Sequence, residues 1–352
     1  MYDKGCMTSH ERLYAAAALT EPDRVPLLVN NRWFAIRDIG YTLEDCYADA
    51  GKFVESQMRM ATDFAHDALW CMGDMPLERV LGQKMVMPKN DVPHPLEPLL
   101  KQTEDLANLP RNPVLKGNGL TDYLLDITNR LRKSAGGAVP VVGHISSPFR
   151  QACGLRGTEN LYMDMYENPT FVKQLVDYLI APTCQFNELQ TEAGADIIFF
   201  SCSVASRSCI SRQLYEEFVH PSHMQVFAHL RSLGCKILYH LCGDWSDRFD
   251  LVMDEGPDII HVDKIDLAWL KKEYGGKVCI NGNVGSATTL LHGTAEQVRQ
   301  EATDCIAKTA ARGGFLLGAD CAVPRDTPAA NMHAMTQAVM EAAACRPKNP
   351  GG

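Results

Sequence analysis

The chain reads as an α/β protein: a single (β/α)8 barrel with a helix ahead of the first strand and an insertion after the second. Three features predict this class. Eight short runs rich in β-branched residues recur along the 352 residues, and amphipathic segments separate most of them. The runs are apolar throughout rather than alternating, as expected of parallel strands covered on both faces. Length alone leaves one or two domains open, because α/β barrels pass about 250 residues as one unit.

Taken in order, Thr8 and Glu11 form a capping box ahead of RLYAAAAL and predict an opening helix. The strand candidates are residues 25–29, 68–72, 139–145, 197–201, 236–240, 258–263, 278–282 and 314–318. Residues 168–193, 211–234 and 293–313 carry helical periodicity, and several such segments end in glycine just before the next strand. Residues 77–100 break the rhythm: LGQKMVMPKNDVPHPLEPL is proline-rich and predicts an excursion over the barrel mouth, with a small hairpin. The barrel domain is expected to span residues 1–345, with a disordered tail at 346–352.

Composition removes several classes of function. A hydrophobic content of 46% with 22% charged residues is that of a globular protein with a sizeable core. A net charge of -9 without a basic tract argues against nucleic acid or an anionic membrane as partner. The N-terminus lacks an apolar signal region and no segment is long enough to span a membrane, so a cytoplasmic location is expected. The 13 cysteines are scattered, unlike a disulfide framework, and in a reducing compartment they would be thiols or metal ligands.

Barrel chemistry belongs at the C-terminal strand ends. There the sequence places Cys202, His240 with Cys242, Asp263, Asn281 with Asn283, and Cys321. In ILYHLCGDW, His240 and Cys242 are two apart and share one face of a strand. A single cation could touch both, and Cys321 on the last strand would add a third ligand, a Cys2His set suited to Zn2+. The alternative is a histidine satisfied by a carbonyl beside two buried thiols. Cys202 carries the same choice between a fourth ligand and a buried thiol.

Asp263 and His261, on one face of their strand, are candidate catalytic groups, as proton donor or as partner to His240; the competing reading of Asp263 is a turn cap. His144 and Asp67 are weaker candidates of the same kind. Trp33, Phe34, Phe149 and Trp245 in predicted loops could sandwich an aromatic substrate, with His144, Asn281 and Asn283 lining the rim.

The segments ERLYAAAALTEPDRVP, GADIIFFSCSVASRSCIS, YHLCGD, INGNV, GTAEQVRQEATDCI and GGFLLGADCAVPRDTPAANMHAM together resemble the uroporphyrinogen decarboxylase superfamily over nearly the whole chain. One branch of that superfamily decarboxylates porphyrinogens. The other, which includes coenzyme M methyltransferases and corrinoid-dependent demethylases, holds zinc by a His-x-Cys pair and a distant Cys, and His240, Cys242 and Cys321 match it. The decarboxylase motif RxPxWxMRQAGR is absent: in RVPLLVNNRWFAIRD, Arg32 and Arg37 fall out of register. The resemblance thus implies a zinc-dependent, corrinoid-dependent methyltransferase. Its partners would be a corrinoid protein docking near residues 77–100 and a small methyl donor or acceptor, with a homodimer as the assembly considered. The spacing of Cys202 and Cys242 resembles that of O-demethylating enzymes and favours a methoxylated aromatic as donor. A coenzyme M-like thiol acceptor, a cofactor-free decarboxylase and a non-catalytic barrel are the alternatives.

Overall fold

The computed structural model describes residues 7–344 except residue 74; the tail predicted at 346–352 lies outside the described residues. Nine strands form among the described residues: β1 (Leu69–Trp70), β2 (Met85–Val86), β3 (His94–Pro95), β4 (Val141–Ser146), β5 (Ile197–Ser201), β6 (Lys236–Leu241), β7 (Ile259–Val262), β8 (Cys279–Val284) and β9 (Phe315–Ala319). Seven of them build one curled, all-parallel sheet in the order β1-β4-β5-β6-β7-β8-β9. They coincide with seven of the eight predicted runs. The remaining pair, β2 and β3, is an antiparallel hairpin inside the 77–100 excursion.

The eighth predicted run, residues 25–29, is not a regular strand; it makes one isolated parallel bridge, Leu27 to Leu317. Its chemistry explains why. Pro26 has no N–H to give a ladder, and the Leu27 N–H goes instead to Asp67 Oδ2 at 2.8 Å. Two ladder bonds to β9 remain, Leu28 N–H to the Leu317 carbonyl and Leu317 N–H to the Pro26 carbonyl, both 2.9 Å. On the other side, the Asp67 N–H donates to the Leu27 carbonyl at 2.9 Å.

The opening helix forms at Ser9–Ala17 with the predicted Thr8/Glu11 capping box. Its Leu13, Ala16 and Ala17 pack with Trp70, Val142, Ile197, Phe199, Leu238, Ile259, Cys279 and Leu316 in one buried cluster inside the curl of the sheet. Asp67, considered above for the site, is instead a fully buried hub away from it. It accepts from Ser9 Oγ, Arg12 Nη1, both Nη atoms of Arg24 and the Leu27 N–H. Residues 211–234 form two helices, Arg212–Phe218 and His220–Ser232, broken where Pro221 starts the second. Among the described residues no helix is long and apolar enough to cross a membrane.

Behind β6 lies a buried polar cluster. Glu255 accepts from the Tyr215 hydroxyl at 2.6 Å and lies 2.9 Å from His220 Nδ1 and 3.4 Å from His223 Nδ1. Burial pushes its carboxyl up, but His223, His220 and Tyr215 outweigh that and hold it below the usual carboxylate range. The bond to Glu255, working against burial, raises the His220 pKa above its ordinary 6.5. A depressed acid stabilises the fold above its ordinary 4.5 and loses that contribution as pH falls through the folded value. A raised histidine stabilises below 6.5 and loses that contribution as pH rises through its folded value. Glu255→Gln is therefore expected to cost stability most between those two ordinary values, on the order of 3 kcal/mol for breaking a buried pair. Urea unfolding of both proteins at several pH values measures it, and a difference that stays flat with pH would contradict this account.

Candidate metal centre

Strand register assembles the site. Pairing sets Ser201, His240, His261 and Asn281 level across β5, β6, β7 and β8, and Cys321 follows β9 by two residues. The period-two geometry turns His240 and Cys242 the same way, as the sequence predicts. One ligand atom from each of His240, Cys242 and Cys321 lies within 4.8 Å of the others. Cys321 Sγ is 3.7 Å from His240 Nε2. His240 is buried, whereas Cys242 and Cys321 are half-buried.

Neighbouring groups hold this arrangement. After Cys242 the chain turns at Gly243, with φ +86°, where a Cβ would lie 3.1 Å from Ser206 Oγ. Gly243 N–H donates to Asp263 Oδ2 at 2.8 Å and Trp245 Nε1–H donates to the Cys242 carbonyl at 2.9 Å. On the β9 side, His261 Nε2 lies 2.8 Å from the Ala319 carbonyl, which fixes it as the donor. The His261 ring centroid is 4.5 Å from that of His240. Burial, reinforced by His240, pushes the His261 pKa down to about 3, so its ring is neutral at physiological pH.

The two sulfurs do not behave alike. A hydrogen bond from Cys242 and the adjacent His240 pull the Cys321 thiol far below its ordinary value, although burial opposes this. The same Cys321 contact, with burial, pushes Cys242 up, and Asp263 and Asp320 add to it. One thiolate is thus favoured and a second beside it is not. A divalent cation reverses that penalty.

The donor set fits zinc. Zn–N and Zn–S legs of about 2.1 and 2.3 Å at a tetrahedral angle separate nitrogen and sulfur by about 3.6 Å, close to the 3.7 Å between His240 and Cys321. Three protein donors, two of them half-buried, leave the open position that catalytic zinc sites keep. Asp263 caps both Gly243 N–H and Lys264 N–H with its two oxygens, so it orients the Cys242 turn rather than standing free as a proton donor. Asp263→Ala is expected to weaken zinc about 10–100-fold, the usual effect of losing an outer partner. Competition with a chromogenic chelator measures it, and unchanged affinity would contradict the role.

Other predicted residues fall outside this group. Cys202 is fully buried, with its thiol bonded to Ser147 and raised to about 12, chiefly by burial. Phe34 packs edge-on to Phe64 in the core, Phe149 is fully buried, and Trp245 packs on Tyr215 and Tyr239. Asn281 donates to the Leu28 and Leu316 carbonyls, and Asn283 to those of Asp263 and Ile265, so both tie strand ends together. Two predicted residues do face open space or the interior. Trp33 lines a cavity of about 210 Å³ with Ile36, Leu43, Asn90, Asp91, Val92, Pro324 and Arg325. His144 stacks on Phe199, which also stacks on His240. The inward Phe199 was not singled out from sequence, although the period-two side of β5 was an available signal, and Arg32 beside it was read only as out of register with a motif.

The profile of the uroporphyrinogen decarboxylase (URO-D) family matches residues 8–342. The chain belongs to the URO-D family. Among relatives of this URO-D protein, a methylated-thiol–coenzyme M methyltransferase of Methanosarcina mazei is 28% identical over 76% of this chain and 71% of its own length. The methylcobamide:CoM methyltransferase MtbA of Methanosarcina acetivorans is 24% identical over 94% and 97%. A uroporphyrinogen decarboxylase of Carboxydothermus hydrogenoformans is 25% identical over 62% and 63%. In fold, the URO-D chain superposes on a methyltransferase from Methanosarcina mazei with TM-score 0.86 at 20% identity, covering 95% of this chain and 99% of that one.

Proposed function

We propose that this URO-D protein is a zinc-dependent methyltransferase that moves a methyl group between the cobalt of a separate corrinoid protein and a small thiol. The observation that carries the reading is the convergence of His240, Cys242 and Cys321 within 4.8 Å. Relatives named as methylcobamide:CoM and methylated-thiol methyltransferases support the thiol. The sequence lean toward a methoxylated aromatic gives way: Phe34 and Phe149, which were to sandwich its ring, are core residues, and Cys202 is not in the group. Decarboxylation of a porphyrinogen, with its many carboxylates, lacks the arginine grip. Arg37 sits at the surface beside Asp326.

Bound zinc supplies a Lewis acid that keeps a substrate thiol as thiolate near neutral pH. The protein's own part is positional. Phe199 and His261 wall His240 in, Trp245 and Asp263 fix the Cys242 turn, and Cys242 and Cys321 stay half-buried. On the same reading, residues 25–29 act as the eighth stave of the barrel, and residues 1–345 serve as one domain. The partner docks over the β2–β3 hairpin, where Met87, Val92 and Leu96 are exposed.

The test is the absorbance of cobalamin. Zinc-loaded protein is expected to demethylate methylcobalamin in the presence of small thiols, and to leave cob(I)alamin unmethylated with methoxyarenes. Methylation from methoxyarenes without any thiol reaction would overturn the thiol reading.

A further inference from the structure

The peptide between Cys242 and Gly243 is pinned at both edges. Its carbonyl accepts from Trp245 Nε1–H at 2.9 Å, and its N–H donates to Asp263 Oδ2 at 2.8 Å. A peptide plane held on both sides leaves the Cα–Cβ direction of Cys242 little freedom. Asp263 is itself fixed by the Lys264 N–H. Trp245 has no such second bond, because an indole carries one N–H and no other polar atom. Its hold on the Cys242 carbonyl is therefore as firm as the packing of its ring.

Two tyrosines supply that packing. Trp245, 2% exposed, meets Tyr215 edge-on, with centroids 5.6 Å apart and planes at 89°, and meets Tyr239 at 5.7 Å and 76°. Tyr239 precedes His240 on β6 and points to the opposite face. Both tyrosines are fully buried, and both hydroxyls end in the Glu255 cluster. Tyr215 gives its one proton to Glu255 Oε1 at 2.6 Å, which leaves its oxygen to accept from the Tyr239 hydroxyl at 3.3 Å. Arg248 also lies over Tyr215, with Cζ 5.2 Å from the ring centroid, and its backbone N–H donates to the Trp245 carbonyl at 3.1 Å. The indole is boxed by rings that hydrogen bonds hold from behind.

Stability is a weak reason for such a cluster, since apolar residues of the same volume often serve as well as a buried ionic group or better. What a satisfied polar network adds is a single arrangement: it fixes a ring that packing alone lets slide. Here the ring so fixed bonds to a ligand of the candidate centre. We propose that Glu255, through Tyr215 and Trp245, positions Cys242, so that the polar cluster behind β6 sets the metal affinity of a site on the other face of that strand. The proposal rests on the zinc reading of His240, Cys242 and Cys321 for the identity of the ion, and not on which methyl acceptor the protein uses. Glu255 and Tyr215 are positioning residues.

Two conservative substitutions test it on the full chain. Trp245→Phe keeps an aromatic ring and removes the N–H, and Tyr215→Phe keeps the ring and removes the hydroxyl. Chelator competition, with folding checked by circular dichroism, is expected to show zinc about tenfold weaker in Trp245→Phe, the lower end for an outer partner. Tyr215→Phe should weaken it about fivefold, the worth of one hydrogen bond. Because Tyr215 acts through the indole, the double variant should lose about tenfold, not the about fiftyfold to which independent effects multiply. In metal-free protein, hydrogen exchange across residues 242–246 should rise several-fold in both single variants. Glu255→Gln should match Tyr215→Phe; if it does not fold, Tyr215→Phe carries the comparison. Unchanged zinc affinity and exchange in Tyr215→Phe, or losses that multiply in the double variant, overturn the proposal and leave the cluster a matter of stability. Exchange that rises in a protein that takes up no zinc supports the hold on Cys242 and overturns the zinc reading alone.

Discussion

Replacing Cys242 by serine is expected to reduce zinc from near one ion per chain to a small fraction, and methyl transfer with it. His240→Ala and Cys321→Ser should do the same. Losing an outer partner usually costs about 10–100-fold in affinity, and loss of one of three direct donors exceeds that. The three variants should fold, because Cys242 and Cys321 are half-buried and His240 Nδ1 makes no hydrogen bond to lose. Metal analysis of freshly purified protein, paired with circular dichroism, provides the measurement. Full zinc in all three variants would remove the centre, and with it the reading built on it.

The second large effect lies far from the metal. Asp67→Ala is expected to destabilise the fold by about 3–5 kcal/mol, the cost of removing one partner from a buried ion pair and leaving the other charge unpaired. Arg12 and Arg24 are both mostly buried where they meet it, at 2.8 and 2.7 Å. The Leu27 N–H loses its acceptor as well. Denaturant unfolding measures the change, and hydrogen exchange should rise first around residues 25–29. A loss below about 1 kcal/mol, the size of an exposed pair, would show that the arginines find water instead.

The contrast between Asp67 and Asp263 shows how far the sequence could be read. Seven strands were legible because continuous apolar, β-branched runs mark covered parallel strands, and the His240/Cys242 pair was legible because a strand repeats every two residues. Residues 25–29 carried the same pattern and still fell short of a strand. What decided it was a proline at 26 and a carboxylate from residue 67 taking the next donor, neither of which periodicity registers. Asp263 was weighed as a catalytic group at a strand end and Asp67, at a strand start, as a weaker candidate of the same kind. Only the fold separates a hub at the Arg12/Arg24 side from a cap beside Cys242. Phe34 and Phe149 were misassigned because the predicted loops there are short helices, Arg32–Asp38 and Pro148–Arg156, which turn both rings into the core. Arg32 was read only against a motif it fails to match, and its burial without an ion pair among the described residues became apparent once its neighbours were in place.

The packing of the Ser9–Ala17 helix against Trp70 and Phe199 has a kinetic consequence. With the lower end stoppered by Leu13, Ala16 and Ala17, whatever reaches His240 leaves by the door it entered. A bulky cobalt-bearing domain and a small thiol would then share a single entrance. On the methyl-transfer reading, the thiol would settle before the larger visitor closes over it, and the methylated product would leave after that visitor departs.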